Sequence, residues 1–299
     1  MVEILKNNPS DFEGLKEWDY KENFYTLKTE YGDMNIHYID EGSSNENTVL
    51  LLHGEPDWGY IYRKFIDPLV ASGVRVVVPD LPGFGKSDKL SERSCYTYEK
   101  YVNWMQTWMK DLKLDNVTLF GQDWGGLIGL RIVAENEEMF KNVVISNTAL
   151  PTGDISPGKA FEDWKNYAQT VENFHAGRII KGGTVKGLDQ YVIDAYNAPF
   201  PDNSYKEAAR QFPMLVPVTP NDPSSQKNRE AWEELKNWNK PFLCVFSEQD
   251  QIFNGVDKAF TKLIPGCQNQ PHKTIQGGHF IQEDNPEECI EAILHVLAL

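Results

Sequence analysis

A carboxylate set between glycines is the first candidate for chemistry in this sequence. Asp123 follows an apolar run at 117–120 and stands in the segment Gly-Gln-Asp-Trp-Gly, which ends at Gly125. A glycine-x-nucleophile-x-glycine segment between a strand and a helix forms a sharp turn that raises the central side chain above the sheet edge. The small flanking residues let the backbone pass close to the helix. The pattern predicts a nucleophile at Asp123, and the competing interpretation is an ordinary helix N-cap.

The type of nucleophile indicates the type of substrate. A carboxylate is ionised at pH 7 and needs no base to attack. If Asp123 displaces a leaving group from a saturated carbon, it forms an alkyl ester that water can cleave at the carbonyl. A serine in that place would form an ether, which has no carbonyl. The sequence therefore favours alkyl halides, haloacids or epoxides as substrates, and it disfavours peptidase and ordinary lipase activity.

The elbow needs an acid and a histidine later in the chain, in that order. His279 lies in a Gly-Gly-His-Phe segment directly after the last predicted strand, and Asp250 lies in the loop after the strand predicted at 242–247. The competing site for the acid follows the preceding strand, where Asn147 cannot carry a charge and Asp154 lies further on. We therefore predict Asp250 as the acid that orients His279 and stabilises its imidazolium form.

The segment His-Gly-Glu-Pro at 53–56 follows another predicted strand and supplies the first oxyanion donor. We expect the backbone N–H groups of Glu55 and Trp124 to form the oxyanion hole. The Glu55 side chain is expected to bond the hydrolytic water or to orient its neighbours. His53 is interpreted as a structural histidine under the site.

Other motifs point away from nucleotide and metal chemistry. Gly85-Lys86-Ser87 lacks the earlier glycine of a phosphate-binding loop, because that position holds Asp80. The neighbouring glycines do not complete a dinucleotide fingerprint, and no cluster of His and Cys suggests a metal. The cysteines are widely spaced and predict neither zinc nor disulfides; they are Cys95, Cys244, Cys267 and Cys289. We expect no cofactor and no metal.

The net charge and the hydropathy of the sequence limit the binding partners and the cellular location that we expect. The 299 residues include 29 Lys and Arg against 44 Asp and Glu, a formal charge of −15. Such a surface disfavours binding to nucleic acid or to an anionic membrane. The first residues form no signal peptide, and no run approaches the ~20 apolar residues that span a bilayer. A soluble cytoplasmic protein is expected.

The order of elements predicts a mostly parallel sheet covered by helices. Predicted strands occupy 24–29, 34–40, 48–52, 75–79, 117–120, 142–146, 242–247 and 272–275. Predicted helices occupy 60–71, 98–112, 161–171, 188–196, 257–263 and 286–297, with another beginning at Leu127. Between 151 and 223 helical pieces alternate with loops that contain glycine and proline. We expect a core domain from 1–150 and 224–299, with 151–223 inserted as a helical cap.

These motifs together resemble those of the haloalkane dehalogenases. They are His-Gly-Glu-Pro at 53–56, Gly-Phe-Gly-Lys-Ser-Asp at 83–88, Gln-Asp-Trp-Gly-Gly at 122–126, Ala-Pro-Phe-Pro-Asp at 198–202 and Gly-His-Phe at 278–280. The similarity runs from about Phe24 to the C-terminus and is weaker between Pro151 and Asp194. It implies an α/β-hydrolase fold with an eight-stranded, mostly parallel sheet. It also implies a halogenated alkane as substrate, a halide ion as product, a role in detoxification and a monomer.

The resemblance also implies a halide site built from indole N–H groups, which donate hydrogen bonds without a proton to lose. Trp124 is the first candidate, and Trp164, the one tryptophan between 151 and 223, is the second. Packing in the cap core is the rival interpretation of Trp164. Phe161 and Phe174 are expected to line the pocket.

Two alternatives stay open at this point. An epoxide hydrolase would use the same nucleophile and would need cap tyrosines as acids, for which Tyr167, Tyr191 and Tyr196 are available. A binding protein of this fold without enzymatic activity is the other. The joint presence of Asp123, Asp250 and His279 argues against it.

Overall fold

A computed structural model describes residues 2–43 and 47–299. Its centre is an eight-stranded sheet whose strands we number in chain order. They are β1 Glu22–Thr29, β2 Gly32–Glu41, β3 Thr48–Leu52, β4 Arg75–Pro79, β5 Val117–Gln122, β6 Phe140–Ser146, β7 Phe242–Ser247 and β8 Lys273–Ile275. A separate antiparallel pair joins Ile4–Leu5 to Lys89–Leu90. The predicted sheet is confirmed, and the last strand begins one residue later than expected.

The spatial order of the sheet is β1-β2-β4-β3-β5-β6-β7-β8. The pairs of β2 with β1 and with β4 are antiparallel, and every other pair is parallel. All residues of β3, β5 and β7 are buried. Continuous apolar runs of this kind suit strands that are covered on both faces. The parallel strands end along one edge, where ligands bind in open α/β sheets.

The helices are also numbered in chain order. They are α1 Arg63–Ala71, α2 Tyr98–Asp111, α3 Trp124–Glu135, α4 Lys159–Thr170, α5 Ala176–Gly182, α6 Gln190–Asn197, α7 Glu207–Leu215, α8 Ser225–Leu235, α9 Asp257–Leu263, α10 Ile281–Asp284 and α11 Pro286–Leu297. Helix α3 packs on β3 and β5 and against α2 and α8, whereas α11 packs on β6 and β7 and against α1. The first turn of the helix predicted at 60–71 is a 3-10 turn at Gly59–Tyr62.

The chain between β6 and β7 is helical. All residues from 147 to 241 are described, and none of them is in a strand. Helix α4 packs against α7, α5 packs against α6, and α8 returns to pack on α3. The bounds 151–223 for a separate cap domain stay a prediction. No helix of the described chain is long and apolar enough to cross a bilayer.

Candidate active site

The turn after β5 holds Asp123 in a backbone conformation that L-residues rarely adopt. Asp123 has φ +50° and ψ −126°, the kind of local strain that is found at nucleophile elbows. A Cβ on Gly54 would lie 2.6 Å from the Asp123 Cβ, and one on Gly125 would lie 1.9 Å from the Leu52 carbonyl oxygen. Glycine is therefore required at both positions for the elbow to fit against the end of β3.

The Asp123 carboxylate is anchored by backbone donors. The Glu55 N–H donates to Asp123 Oδ1 at 2.9 Å, and the Trp124 N–H bonds the same carboxylate. The Thr148 hydroxyl donates to the Asp123 carbonyl oxygen at 2.7 Å, which fixes the turn itself. The two N–H groups predicted as an oxyanion hole therefore bind the nucleophile's own carboxylate in this state. Oδ2 remains directed towards His279, whose Nε2 is 3.7 Å away.

His279 and Asp250 lie together at the same sheet edge. His279 Nδ1 is 2.9 Å from Asp250 Oδ2. The other oxygen of Asp250 accepts the N–H groups of Ile252 and Phe253 at 2.8 and 3.1 Å. The Phe253 ring stacks on the imidazole with 5.7 Å between centroids. Because the Asp250 side chain is 1% exposed, it holds the imidazole from its buried side and leaves Nε2 facing Asp123.

Burial and neighbouring charges determine the protonation states of Asp123, His279 and Asp250. Burial raises the pKa of Asp123 to about 6, against the opposing effects of the His279 charge and the Trp124 N–H. Burial opposes a charge on His279, but Asp250 and Asp123 raise the pKa of His279 to about 9. Burial also works against the Asp250 charge, yet His279 and the two backbone donors lower the pKa of Asp250. At neutral pH the group is an imidazolium between two carboxylates.

Two amides fix the loop that carries His279. Asn147 donates to the carbonyl oxygens of Gly278 and His279 at 3.1 and 2.9 Å, and to Ser247 Oγ at 2.9 Å. Gln122 donates to the His279 carbonyl oxygen at 3.1 Å. The position where a competing acid was considered is therefore occupied by a residue that ties β6, β7 and the histidine loop together.

Asp154 lies elsewhere. Its carboxylate pairs with Arg229, with 2.8 Å between Asp154 Oδ1 and Arg229 Nη2, and the side chain is 49% exposed. It has no contact with His279 among the described residues. Of the two candidates, the structure brings only Asp250 to the histidine.

A second pair of carboxyls lies beneath the nucleophile. Glu55 and Asp57 are 4% and 0% exposed. Burial and the nearby Asp123 and Asp57 raise the pKa of Glu55 well above its usual range, which favours a neutral carboxyl. Within residues 2–43 and 47–299, neither Asp57 oxygen has a hydrogen-bond partner; His53 Nδ1 is 3.5 Å from its Oδ1.

His53 has a structural place. Its Nε2 accepts the Leu81 N–H at 2.8 Å, so Nδ1 carries the proton and donates to the Gly54 carbonyl oxygen at 2.8 Å. Both ring nitrogens are thereby occupied by backbone partners, as the sequence interpretation expects.

The two candidate halide donors line one cavity. The Trp124 ring is stacked on Phe212 from α7 at 4.4 Å and meets Tyr98 edge-on at 5.0 Å. Trp164 on α4 stacks on Tyr167 at 5.8 Å. Neither Trp124 Nε1 nor Trp164 Nε1 forms a hydrogen bond with the described part of the chain, unlike Trp232 Nε1, which donates to the Leu150 carbonyl oxygen at 2.8 Å.

The cavity has a volume of about 780 Å³ and a largely apolar wall. Its inner end contains Asp123, Trp124, Phe161, Trp164 and His279. Phe174, which was expected in the wall, is not among the lining residues. It is buried and packs on Trp164, with 6.2 Å between the ring centroids.

The cap tyrosines lie outside this wall. Tyr196 is buried and donates to Glu283, and Tyr191 lies beneath the Lys16 ammonium. Tyr167 stacks on Trp164 and is 42% exposed. None of the three is among the described residues that line the cavity. The described residues also contain no group of three or more His, Cys, Asp or Glu side chains that could hold a metal ion.

Several residues of the site had no clear sequence signal. Asn147, Gln122, Asp57 and Phe212 all contact or surround the central group, but their partners are distant in the chain. Asp57 directly follows the His-Gly-Glu-Pro motif but is not part of it. Gln122, inside the elbow motif itself, had the strongest signal of the four.

Comparison with known proteins places this geometry in a family. The α/β-hydrolase fold model matches residues 47–286. A haloalkane dehalogenase of Psychrobacter cryohalolentis is 51% identical over 99% of this chain and 98% of its own. One of Mycobacterium marinum is 42% identical over 98% of this chain and 99% of its own. The tetrameric haloalkane dehalogenase DpaA from Paraglaciecola agarilytica superposes with a TM-score of 0.91 and 30% identity, covering 99% of this chain and 98% of its own.

Sheet order, elbow and acid–histidine pair define the class as an α/β hydrolase. Within that class, the chain belongs to the haloalkane dehalogenases, hydrolases that act on carbon–halogen bonds. The resemblance inferred from the sequence motifs is confirmed, and so is the expectation of an enzyme.

Proposed function

We propose that this chain hydrolyses haloalkanes through an alkyl ester on Asp123. The observation that carries the proposal is the asymmetry of the Asp123 carboxylate. Its Oδ1 accepts the Glu55 N–H at 2.9 Å, while its Oδ2 faces the cavity near His279. One oxygen is therefore held where an oxyanion will form, and the other is available as a nucleophile.

In the first step, Asp123 Oδ2 attacks the halogen-bearing carbon. The C–O bond forms as the carbon–halogen bond breaks, and the bonding pair leaves with the halide. The indole N–H groups of Trp124 and Trp164 receive the halide, and the apolar cavity keeps competing water away. Attack requires ionised Asp123, so this step needs no proton transfer.

Ester formation prepares the second step. Asp123 loses its charge, and one of the three carboxylates that raise the pKa of His279, those of Asp250, Asp123 and Asp57, is removed. The imidazolium then releases a proton to solvent, the net proton of the reaction, and neutral His279 takes a proton from water as that water attacks the ester carbonyl. The Glu55 and Trp124 N–H groups hold the oxyanion at Oδ1, and Asp250 stabilises the imidazolium. His279 finally protonates the departing alkoxide, and the carboxylic acid left at Asp123 passes its proton to His279, which restores the resting state.

The position of the cap tyrosines supports a halide rather than an epoxide oxygen as leaving group. Epoxide opening needs an acid to protonate the alkoxide, and no cap tyrosine is among the described residues of the cavity wall. Halide departure needs only N–H donors, which Trp124 and Trp164 supply.

Parallel assays with 1-bromobutane, 1-chlorobutane, an aliphatic epoxide and an acyl ester test the proposal. We expect release of bromide and chloride with formation of butanol, and no turnover of the epoxide. Asp123→Ala should abolish halide release, whereas Asp163→Asn, on the exposed face of α4, should retain it. Epoxide hydrolysis without halide release would contradict the proposal.

A monomer, a cytoplasmic location and a role in detoxification stay predictions from the sequence. Because the relative from Paraglaciecola agarilytica is a tetramer, light scattering on the full chain should be used to measure the oligomeric state.

A further inference from the structure

Two buried carboxylates lie shortly after His279 in the chain, and the proposed reaction uses neither of them. Glu283 and Asp284 belong to α10, the single helical turn that follows the histidine loop, residues 276–280. They are 5% and 0% exposed. A buried carboxylate is costly unless it is paired or accepts hydrogen bonds. The partners of each carboxylate therefore show what it holds in place.

Glu283 fixes the position of α10 itself. Its carboxylate pairs with the Arg63 guanidinium through two hydrogen bonds, with 2.6 Å from Nη1 to Oε1 and 2.9 Å from Nη2 to Oε2. The Tyr196 hydroxyl of α6 donates to the same carboxylate. A bidentate pair of this kind fixes direction as well as distance. Glu283 therefore holds α10 between α1 and α6.

Asp284 binds backbone on two sides. Its Oδ2 accepts the N–H of Gly278, in the histidine loop, at 2.8 Å. Its Oδ1 accepts the N–H groups of Val185 and Lys186 at 3.0 and 2.9 Å. These two residues belong to the α5–α6 loop, residues 183–189. One buried carboxylate thus joins the histidine loop to the α5–α6 loop.

The two loops are also in direct contact. The Phe280 N–H donates to the Gly183 carbonyl oxygen at 3.3 Å. A Cβ on Gly278 would lie 2.1 Å from that same oxygen, so the close approach requires glycine. Gly183, His279 and Phe280 all line the cavity. The α5–α6 loop therefore supports the histidine loop at the cavity wall.

Asp284 differs from the other residues that hold the histidine loop. Asn147 and Gln122 bind its carbonyl oxygens from the sheet side, and Asp250 binds the imidazole. Among the described hydrogen bonds, none of these three residues reaches the α5–α6 loop, whereas Asp284 holds both loops. A displacement of the α5–α6 loop is therefore transmitted through Asp284 to the backbone next to His279.

We infer that Asp284 is a positioning residue for His279 in ester hydrolysis, and that it makes this step depend on the α5–α6 loop. The inference rests on the proposed reaction, in which Asp123 attacks without a base and only the second step needs His279. A misplacement of about 1 Å can lower a rate about 10²-fold. Loss of the Asp284 anchor should therefore slow hydrolysis of the ester and leave its formation unchanged.

Asp284→Asn tests this inference. The amide oxygen can still accept the N–H groups of Val185 and Lys186, but the amide NH2 then faces the Gly278 N–H, donor against donor. In single turnovers of 1-bromobutane, the rate constant for bromide release should change less than about threefold, because ionised Asp123 needs no base. The rate constant for loss of the alkyl adduct, followed by intact-protein mass spectrometry of quenched samples, should fall about 10- to 100-fold.

Asp222→Asn is the matched control. Asp222 is another carboxylate that accepts two backbone N–H groups, those of Val218 and Thr219 at 2.6 and 2.7 Å. Among the described hydrogen bonds, it does not reach the histidine loop. Both rate constants should keep their wild-type values in this variant. Equal slowing of ester hydrolysis in the two variants would overturn the inference.

A purely structural role of Asp284 predicts a different result. Partial unfolding would reduce the amount of bromide released in the first turnover, but hydrolysis would keep its rate in the molecules that remain folded. That result, or equal slowing of both steps, would overturn the inference and leave the proposed function standing. If the wild-type chain released no bromide from any haloalkane, the proposed function itself would be wrong, and the inference with it.

Gly278→Ala provides a second test that keeps the Asp284 carboxylate, and it decides the matter if Asp284→Asn does not fold. The added methyl group must push the Gly183 carbonyl away from the histidine loop. We expect slower ester hydrolysis with unchanged bromide release. Gly182→Ala is its control, because a Cβ there meets nothing within 4 Å. Wild-type hydrolysis in folded Gly278→Ala would show that His279 does not depend on the α5–α6 loop.

Discussion

The two sides of the inner cavity hold their functional side chains by different interactions. On the sheet side, Asp123, Asp250 and His279 are each held by hydrogen bonds from backbone or buried side chains. On the cap side, Trp164 is held by ring packing alone among the described contacts. A group that moves charge or protons needs a fixed direction, which hydrogen bonds provide. A halide is spherical, and packing leaves both indole N–H groups available to it.

The sharpest test of the sheet side is His279→Phe. Because ionised Asp123 attacks without a base, this variant should still form the ester but should not hydrolyse it. We expect one bromide per active site, then no turnover, and a protein whose mass has increased by the alkyl group. Intact-protein mass spectrometry measures this directly.

His175→Phe, an exposed position before α5, is the control and should turn over normally. If folded His279→Phe released no bromide in the burst and carried no adduct, the histidine would be required before or during displacement. The two-step route would then be wrong.

The next largest effect is expected from Asp250→Asn. The amide keeps the shape but no longer stabilises the imidazolium or its Nδ1–H tautomer. The equivalent change in the serine protease triad lowers kcat by about 10⁴, and we expect a loss of that order in steady-state bromide release. Asp154→Asn should change the rate less than about threefold, because exposed ion pairs contribute little. A reversed order of the two variants would contradict our assignment of the acid.

On the cap side, we expect Trp164→Phe to have a smaller effect, which is limited to halide binding. Trp164→Phe preserves packing on Tyr167 but removes the N–H, and one hydrogen bond to a charged partner is worth roughly 1.5–3 kcal/mol. Halide affinity, measured by quenching of tryptophan fluorescence, should fall by about tenfold or more. Trp232→Phe is the matched control, because its N–H is already bonded to Leu150. Similar halide affinities in both variants would favour a packing role for Trp164.

The smallest expected effect is a shift in pH dependence. Since the pKa of Asp123 is raised to about 6, kcat/KM should reach its maximum at a pH well above 6. It should fall as the pH is lowered through 6, because Asp123 becomes protonated. The Asp57 charge is one cause that raises this pKa. Asp57→Asn should therefore move the acid limb to lower pH. An acid limb that stays in place in a folded variant would mean that Asp57 does not act on the nucleophile.

Sequence patterns predicted much of this architecture because the relevant signals lie in residues that are neighbours in the chain. Apolar runs identify strands that are covered on both faces, and the loops after them identify the sheet edge where Asp123, Asp250 and His279 meet. Each of these residues is recognisable from its immediate neighbours. The positions of the strands along the chain and the family were accordingly predictable.

The supporting residues were not predictable in the same way. Asn147 bonds to Ser247 and Gly278, which are 100 and 131 residues away, and no local pattern encodes such contacts. The position of the Phe174 ring was not predictable for a related reason: the sequence suggests an aromatic residue between β6 and β7 but does not determine whether its ring faces the cavity or packs on Trp164.

The hydrogen bond from the Glu55 N–H to Asp123 Oδ1 makes the two carboxylate oxygens chemically distinct. In the proposed ester, the alkyl group is on Oδ2, so that oxygen leaves in the alcohol and an oxygen from water replaces it. Each alcohol molecule therefore carries the oxygen acquired one turnover earlier, and the first carries an oxygen from the protein itself. In ¹⁸O-water, Asp123 should exchange one oxygen and retain the other for as long as the Glu55 N–H prevents the carboxylate from rotating.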